Sequence, residues 1–200
     1  MSKSEGRWSL YKTQPSFVLG FHGCDESLAE KILRGKTSHL HPSNNDYDWL
    51  GNGIYFWESN PQRALDFAIE AAKGGINSRG KIKSPFVLGA IIDLGRCLNL
   101  VDSSALEQLA FGYDLLHLLG EYPLPTNGKD LKARRLDCAA IETLHQYRRK
   151  SDLQPYDSVR GVFWEGDDLY PGAGFKKKNH IQICVRTSAC IKGYFRPIEA

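Results

Sequence analysis

Long apolar runs are missing from this sequence. No stretch approaches the about 20 residues that a membrane-spanning helix requires, and the opening segment MSKSEGRWSLYK lacks the apolar core of a secretory signal. Both absences point to a cytoplasmic protein with no membrane partner. Paired cysteines are missing as well. The five that occur (Cys24, Cys97, Cys138, Cys184 and Cys190) are odd in number, scattered and free of any CxxC spacing. That distribution indicates reduced thiols rather than a disulfide framework or a zinc site. The six histidines supply no replacement, because His39 and His41 lie in a polar loop without nearby cysteine partners; no metal is expected. Charge of one sign is scarce: the net charge of +3 permits an anionic partner without requiring one. Internal repeats, linkers and a βαβ alternation are also absent. With 200 residues and 42% hydrophobic content, the chain suits one domain over 1–200 with a sizeable core.

What is present reads as strands and helices in turn. SFVLGFHGC, from Ser16 to Cys24, has the pattern of a buried strand interrupted by His22. Asp25 is placed to cap a helix whose apolar face is Leu28, Ala29, Ile32 and Leu33, ended by Gly35. A polar loop from Lys36 to Trp49 precedes LGNGIYFWESNPQRALDFA, residues Leu50 to Ala68. There two glycines lead into an aromatic strand, and Pro61 starts a helix reaching about Lys73. Gly74, Gly75, Asn77, Ser78 and Gly80 mark a flexible tip. Ser84 to Leu94 is apolar on both faces and should be a central strand. Leu98 to Asp102 suggests a short strand, followed by a helix through Leu116 and a turn-rich loop over Glu121 to Leu131. Leu136 to Tyr147 is an amphipathic helix, with Arg148, Arg149 and Lys150 suiting its C-terminal dipole. Strands at Val159 to Trp164, His180 to Arg186 and Cys190 to Phe195 complete the chain, with a glycine- and lysine-bearing loop over Gly166 to Asn179. The expected fold class is α+β with a largely antiparallel sheet.

Three stretches carry polar or aromatic side chains at the ends of otherwise buried strands: FHG around His22, GNGIYF around Tyr55, and GFKKKNHIQICV around Gln182. Singly, a histidine or tyrosine on an apolar strand is more often a core residue than a functional one. In this order and spacing, the three stretches resemble the catalytic domain of the poly(ADP-ribose) polymerase-like, or diphtheria-toxin-like, ADP-ribosyltransferases. That family carries a histidine–tyrosine–glutamate triad on three separated strands. GFHGCDESLAEKIL resembles its first motif through His22 and Gly23. GNGIYFWESNPQRALDF is similar almost residue for residue to its second motif, with Tyr55 as the triad tyrosine. The third departs: the family's glutamate falls on Gln182 of HIQICVR. Glu165 and Glu58 are alternative sources of a carboxylate, although neither falls at the strand position. A closing tyrosine and a small hydroxyl residue of the family are replaced here by Asp66, with Phe67 adjacent, and by Arg63.

The resemblance implies an ADP-ribosyltransferase-like split antiparallel β-sheet with flanking helices, and NAD as co-substrate held by His22, Gly23, Tyr55, Phe56, Arg63 and Phe67. His22, Tyr55 and Gln182 would form the catalytic set. Transfer breaks the nicotinamide–ribose bond through an oxocarbenium-like transition state, as in glycoside hydrolysis. A histidine can bond the adenosine-side ribose hydroxyl, the Gly23 main chain can hold the nicotinamide carboxamide, and the Tyr55 ring offers a stacking surface. A glutamate would stabilise positive charge on the sugar and help activate an acceptor. Gln182 keeps an acceptor oxygen but is neutral and is no base. The expected activity is therefore mono-ADP-ribosylation of a macromolecule, protein or nucleic acid, without chain elongation. NAD glycohydrolysis and an inactive NAD or ADP-ribose binding module are the alternatives. By family analogy such a compact domain serves as a bacterial toxin, effector or phage-defence enzyme, with room for a neutralising partner protein. Lys176 to Lys178 beside Tyr170 and Phe175 combine charge with stackable rings, a combination suited to nucleic acid. A solvated, flexible turn is the simpler reading of the same run.

Overall fold

The computed structural model describes residues 17–74, 82–119, 123–129 and 132–198. The expected flexible tip beyond Gly74 lies outside the described residues, as do the opening segment and parts of the 121–131 loop. Seven strands form one sheet: β1 (Val18–Asp25), β2 (Ile54–Glu58), β3 (Pro85–Ile92), β4 (Cys97–Asn99), β5 (Ser158–Phe163), β6 (His180–Val185) and β7 (Ile191–Phe195). Their spatial order is β4-β5-β6-β2-β1-β3-β7. Every pairing is antiparallel except β4 with β5, which run parallel. The four helices are α1 (Glu26–Leu33), α2 (Pro61–Ala72), α3 (Ser103–Leu119) and α4 (Arg135–Lys150). The architecture is α+β.

Strand alternation divides the side chains between two faces. One face of the sheet meets α1: Cys24, Leu88, Ala90, Ile92, Ile54, Phe56, Ile183 and Val185 pack with Ala29 and Ile32 of that helix. The other face carries α2 over Phe21, Trp57 and Val87. Farther along the same face, α3 and α4 cover Leu98, Val159, Phe163 and Cys184 through Ala105, Ile141 and Leu144. Burying these side chains removes apolar surface from water and is the main drive for the three-layer arrangement.

The ends of the elements follow local chemistry. Asp25 accepts from Ser27 N (3.1 Å), and its second oxygen takes the N–H groups of Lys83 and Ser84 (2.8 and 3.1 Å), so one carboxylate caps α1 and ties it to the start of β3. The Ser27 hydroxyl, donating to Oδ1 at 2.6 Å, and then those N–H groups hold its carboxyl well below the usual carboxylate range. Helix α2 begins with Pro61 behind Asn60, whose side-chain oxygen accepts from Arg63 N at 2.9 Å. No helix among the described residues is long and apolar enough to cross a membrane.

Candidate functional site

The β1–β2 ladder is short. Its register covers Gly20↔Glu58 and Phe21↔Trp57, and Ser59 N donates to Leu19 O at 2.9 Å. Beyond Phe21 the strands part. The next carbonyl of β2 directed at β1, that of Tyr55, accepts instead from the His22 imidazole Nδ1 at 2.8 Å. Because a carbonyl only accepts, Nδ1 carries the hydrogen and Nε2 keeps its lone pair. Burial pushes the His22 pKa down against the opposing effect of that bond, so the ring is neutral. Since Leu19 bonds toward β2, alternation directs the N–H and C=O of Gly23 into the same widened gap. Farther along, Gly53 exchanges bonds with Ser43 (2.7 and 3.0 Å), which closes that side of β2. The arrangement therefore offers a hydrogen-bond acceptor on His22 and two main-chain groups on Gly23 to a ligand lying between β1 and β2.

Tyr55 is fixed at both ends. Its hydroxyl donates to Gly51 O at 2.7 Å and accepts from Leu50 N at 2.8 Å, while its ring lies against the core beneath α3 and α4. Burial raises its pKa well above the ordinary phenol value. Gly51 adopts φ +77°, and a Cβ there would meet Glu142 Oε1 at 2.6 Å. That oxygen accepts from Asn52 N (2.8 Å) and Arg186 Nη1 (2.6 Å), and Oε2 accepts from Arg186 Nη2 (2.9 Å). The GNG turn is thus pinned by a tyrosine from β2 and a carboxylate from α4. Tyr55→Phe leaves the Leu50 N–H unpaired and Gly51 O with only the Cys184 thiol at 3.5 Å, and is expected to destabilise the protein by about 2 kcal/mol, measured by urea unfolding.

Gln182 pairs with Trp57 on β2 and with Gly161 on β5. Alternation puts its side chain on the face of Tyr55 and Trp57, whereas His22 shares the opposite face with Gly20 and Cys24, its ring edge-on to Phe56 at 5.9 Å. The structure thus joins His22 to Tyr55 through the main chain and brings Tyr55 and Gln182 onto one face as diagonal neighbours. Phe56 is a core residue with no exposed surface. Phe67 packs on Trp57, centroids 5.1 Å apart. Arg63 is only 6% exposed, lies over the Trp57 ring at 5.5 Å, and bonds Glu165 Oε2 through Nη2 at 2.9 Å. His180 Nδ1 donates to Lys178 O at 2.6 Å and lies 3.7 Å from the same Glu165 oxygen. Its ring stacks on Phe163 and Trp49.

The two alternative carboxylates differ. Glu58 is engaged by Arg160 through two bonds of 2.5 and 2.9 Å, and alternation sets it on the face opposite Gln182. Glu165 follows β5 in register, since Lys178 N donates to its carbonyl at 2.9 Å, and alternation gives it the face of Gly161, Phe163 and Gln182. The lysine run is solvent-facing, as a solvated turn requires, and each cation is paired. Lys176 bonds Asp168 at 2.5 Å, Lys177 lies 3.9 Å from Asp167, and Lys178 bonds Glu70 of α2 at 2.6 Å. Each cation has an acidic neighbour, and the rings of Trp164, Tyr170 and Phe175 are exposed beside them. Cys24, beside the gap, is no nucleophile, because burial pushes its thiol up to about 12. Two open clefts of about 300 and 310 Å³ border Asn44 and Asn52 instead, and neither is lined by His22, Tyr55 or Gln182.

Sequence patterns gave no sign of Trp57, His180 or Glu142 as members of this region. Only their spacing from motif residues was visible: Trp57 two positions after Tyr55, and His180 two before Gln182, which in strands means the same face. No family model matches the chain. A stretch of 38 residues, 19% of the chain, is 50% identical to part of MJ0359, an uncharacterized protein of Methanocaldococcus jannaschii, and covers 17% of that protein.

Proposed function

We propose that the chain is an NAD-dependent mono-ADP-ribosyltransferase with an ADP-ribosyltransferase-like sheet, acting on a macromolecular acceptor. The observation that carries this reading is the parting of β1 from β2 at His22, where the imidazole replaces a ladder bond to Tyr55 O at 2.8 Å. The gap suits a flat carboxamide. Gly23 supplies one donor and one acceptor, matching the carboxamide's oxygen and NH₂, while His22 Nε2 accepts from a ribose hydroxyl. Gln182, on the face of Tyr55, accepts from the second ribose through its amide oxygen. The motif resemblance of GFHGC and GNGIYFWE supports the same assignment. A toxin, effector or phage-defence role in the cytoplasm, held in check by a neutralising partner, fits such a domain by analogy.

The experiment is incubation with labelled NAD and a cell lysate, followed by separate protease and nuclease digestion. Nicotinamide release together with label in a macromolecular fraction is expected, and Gln182→Ala should lower both by about 10-fold or more. Absence of both products from the wild-type protein refutes the transferase. A second reading, a non-turning-over NAD or ADP-ribose binding module, is favoured by one observation, the neutral side chain at Gln182 between Trp57 and Gly161. Saturable NAD binding without turnover, with turnover gained in Gln182→Glu, would establish it. Nicotinamide released without any labelled acceptor would instead identify a glycohydrolase.

A further inference from the structure

The cleft of about 310 Å³ at the start of β2 differs in chemistry from its neighbour. Its lining includes Asn44 and Asn52 around the GNG turn, Arg149 at the end of α4, Tyr156 just before β5, and Arg186 and Thr187 just after β6. None of its described lining residues is an Asp or Glu, whereas the adjoining cleft of about 300 Å³ is lined by Asp46 and Glu142. Five of those six residues keep an uncommitted side-chain group. The amides of Asn44 and Asn52, the hydroxyls of Tyr156 and Thr187 and the guanidinium of Arg149 have no hydrogen-bond or ion-pair partner among the described residues. All five can donate a hydrogen bond. The volume is at the lower end of the about 300–1,000 Å³ typical of small-molecule sites.

Arg186 is the rigid member of the set. Continuing the Ile54↔Val185 register sets it opposite Gly53, and its main-chain N–H donates to Asp157 O at 2.8 Å. Glu142 holds its guanidinium through bonds of 2.6 and 2.9 Å and balances its charge. The unbalanced positive charge at the cleft therefore belongs to Arg149, in the last turn of α4. Arg148 stands beside it, with its guanidinium over the Tyr156 ring at 4.4 Å. A helix C-terminus by itself repels an anion. Here the carbonyls of Tyr147 and Arg148 accept from Ser151 N (3.0 Å) and Leu153 N (2.8 Å). Arg148, Arg149 and Lys150 together more than offset the partial negative charge of that helix end.

We propose that this cleft binds a terminal phosphate group, at a site separate from the β1–β2 gap. Arg149 supplies the charge and a fork of N–H donors that phosphate oxygens accept from in pairs. Asn44, Asn52, Tyr156 and Thr187 supply neutral donors around it. Five donor groups brought together from separate elements suit the three oxygens of a terminal phosphate better than the two of a carboxylate. The acids of the adjoining cleft repel the same group, which sets the side on which it is received. The inference makes no use of the NAD reading, because the phosphate touches neither His22 nor Gly23. A free nucleotide and the 5′-phosphate end of a nucleic acid both present this group.

The test is calorimetric titration of the full chain with inorganic phosphate, with AMP, and with a short single-stranded oligonucleotide bearing a 5′-phosphate. Saturable binding of phosphate is expected, weakened about tenfold in Arg149→Glu. Lys192→Glu on β7 changes the net charge equally but does not line the cleft, and should leave binding within about twofold of wild type. Asn52→Ala removes one neutral donor, keeps the main-chain bond to Glu142, and should weaken binding about threefold. Tighter binding of AMP than of adenosine, lost in Arg149→Glu, assigns the group to a nucleotide. Tighter binding of the 5′-phosphorylated oligonucleotide than of its 5′-hydroxyl form, with the same Arg149 dependence, assigns it to a nucleic-acid end. Either result supports the site. No saturable binding of phosphate by the wild type, or equal weakening in Arg149→Glu and Lys192→Glu, overturns it. Should Arg149→Glu fail to fold, Arg149→Gln keeps the stem, removes the charge and is held to the same comparison. NAD is left out of these titrations, so its failure to bind in the gap is a separate result.

Discussion

Gly23→Ala is expected to be among the most damaging small substitutions at the described residues. A Cβ at Gly23 would sit 2.1 Å from the carbonyl oxygen of Ala64 and 3.3 Å from Ala68 Cβ, so the added methyl meets the backbone of α2 rather than a side chain that can swing away. Either α2 lifts from the sheet or β1 bends. Overpacking of this kind costs about 3 kcal/mol, a large share of the stability of an ordinary domain. The matched control is Gly193→Ala on β7, where nothing lies within 4 Å of the added Cβ; it should change stability by less than about 0.5 kcal/mol. Urea unfolding of both proteins reads the difference. Equal stabilities would mean that α2 does not press on β1 at the gap, and the position of the proposed ligand site would fall with it.

Acid should unfold the protein well before carboxylate protonation alone would. His145 of α4 is fully buried, with Nδ1 donating to Ile141 O at 2.8 Å, and burial, aided by Arg186, pushes its pKa from 6.5 to about 4. His22 and His180 are lowered for the same first reason, burial. The sign is fixed by which state binds the proton. Below about 6.5 the unfolded chain protonates these imidazoles and the folded one does not, so stability is complete above that pH and declines as pH falls. For His145 the loss is complete near its folded value of about 4 and amounts to on the order of 3 kcal/mol. Glu142 acts in the same direction at lower pH. Burial opposes its charge, but Arg186 and the Asn52 N–H outweigh it and leave the carboxyl lowered, so its contribution disappears as pH falls through the folded pKa. The melting temperature should drop steeply between pH 7 and 4, and His145→Gln should flatten that slope. A melting temperature unchanged over this range would contradict neutral burial of the three rings.

Local patterns were enough to find the elements, because each rests on a period or a cap. Ile181, Ile183 and Val185 alternate as β6 requires, and Asp25 and Pro61 mark helix starts that the structure retains. The expected ends were less sharp. Helix α4 runs on through Arg148, Arg149 and Lys150, since these are good helix formers that an apolar period does not register. Likewise α3 continues to Leu119. The parallel pairing of β4 with β5 was invisible, because pairing partners are separated by about 60 residues and leave no local trace. The site divides in the same way. His22, Gly23, Tyr55 and Gln182 stood out from their neighbours in sequence, but the Arg63–Glu165 pair joins residues 102 apart. The lysine run is another case: the Glu70 partner of Lys178 comes from a helix 108 residues earlier, a pairing that leaves no local trace.

The central claim is that NAD lies in the gap between β1 and β2. Calorimetric titration of the purified protein with NAD tests it most directly, with His22→Ala alongside. Saturable binding is predicted for the wild-type chain. His22→Ala, if its melting curve shows an intact fold, should bind about tenfold more weakly, the equivalent of one hydrogen bond at about 1.4 kcal/mol. Absence of saturable binding in the wild type, or equal affinity in a folded His22→Ala, would contradict the account.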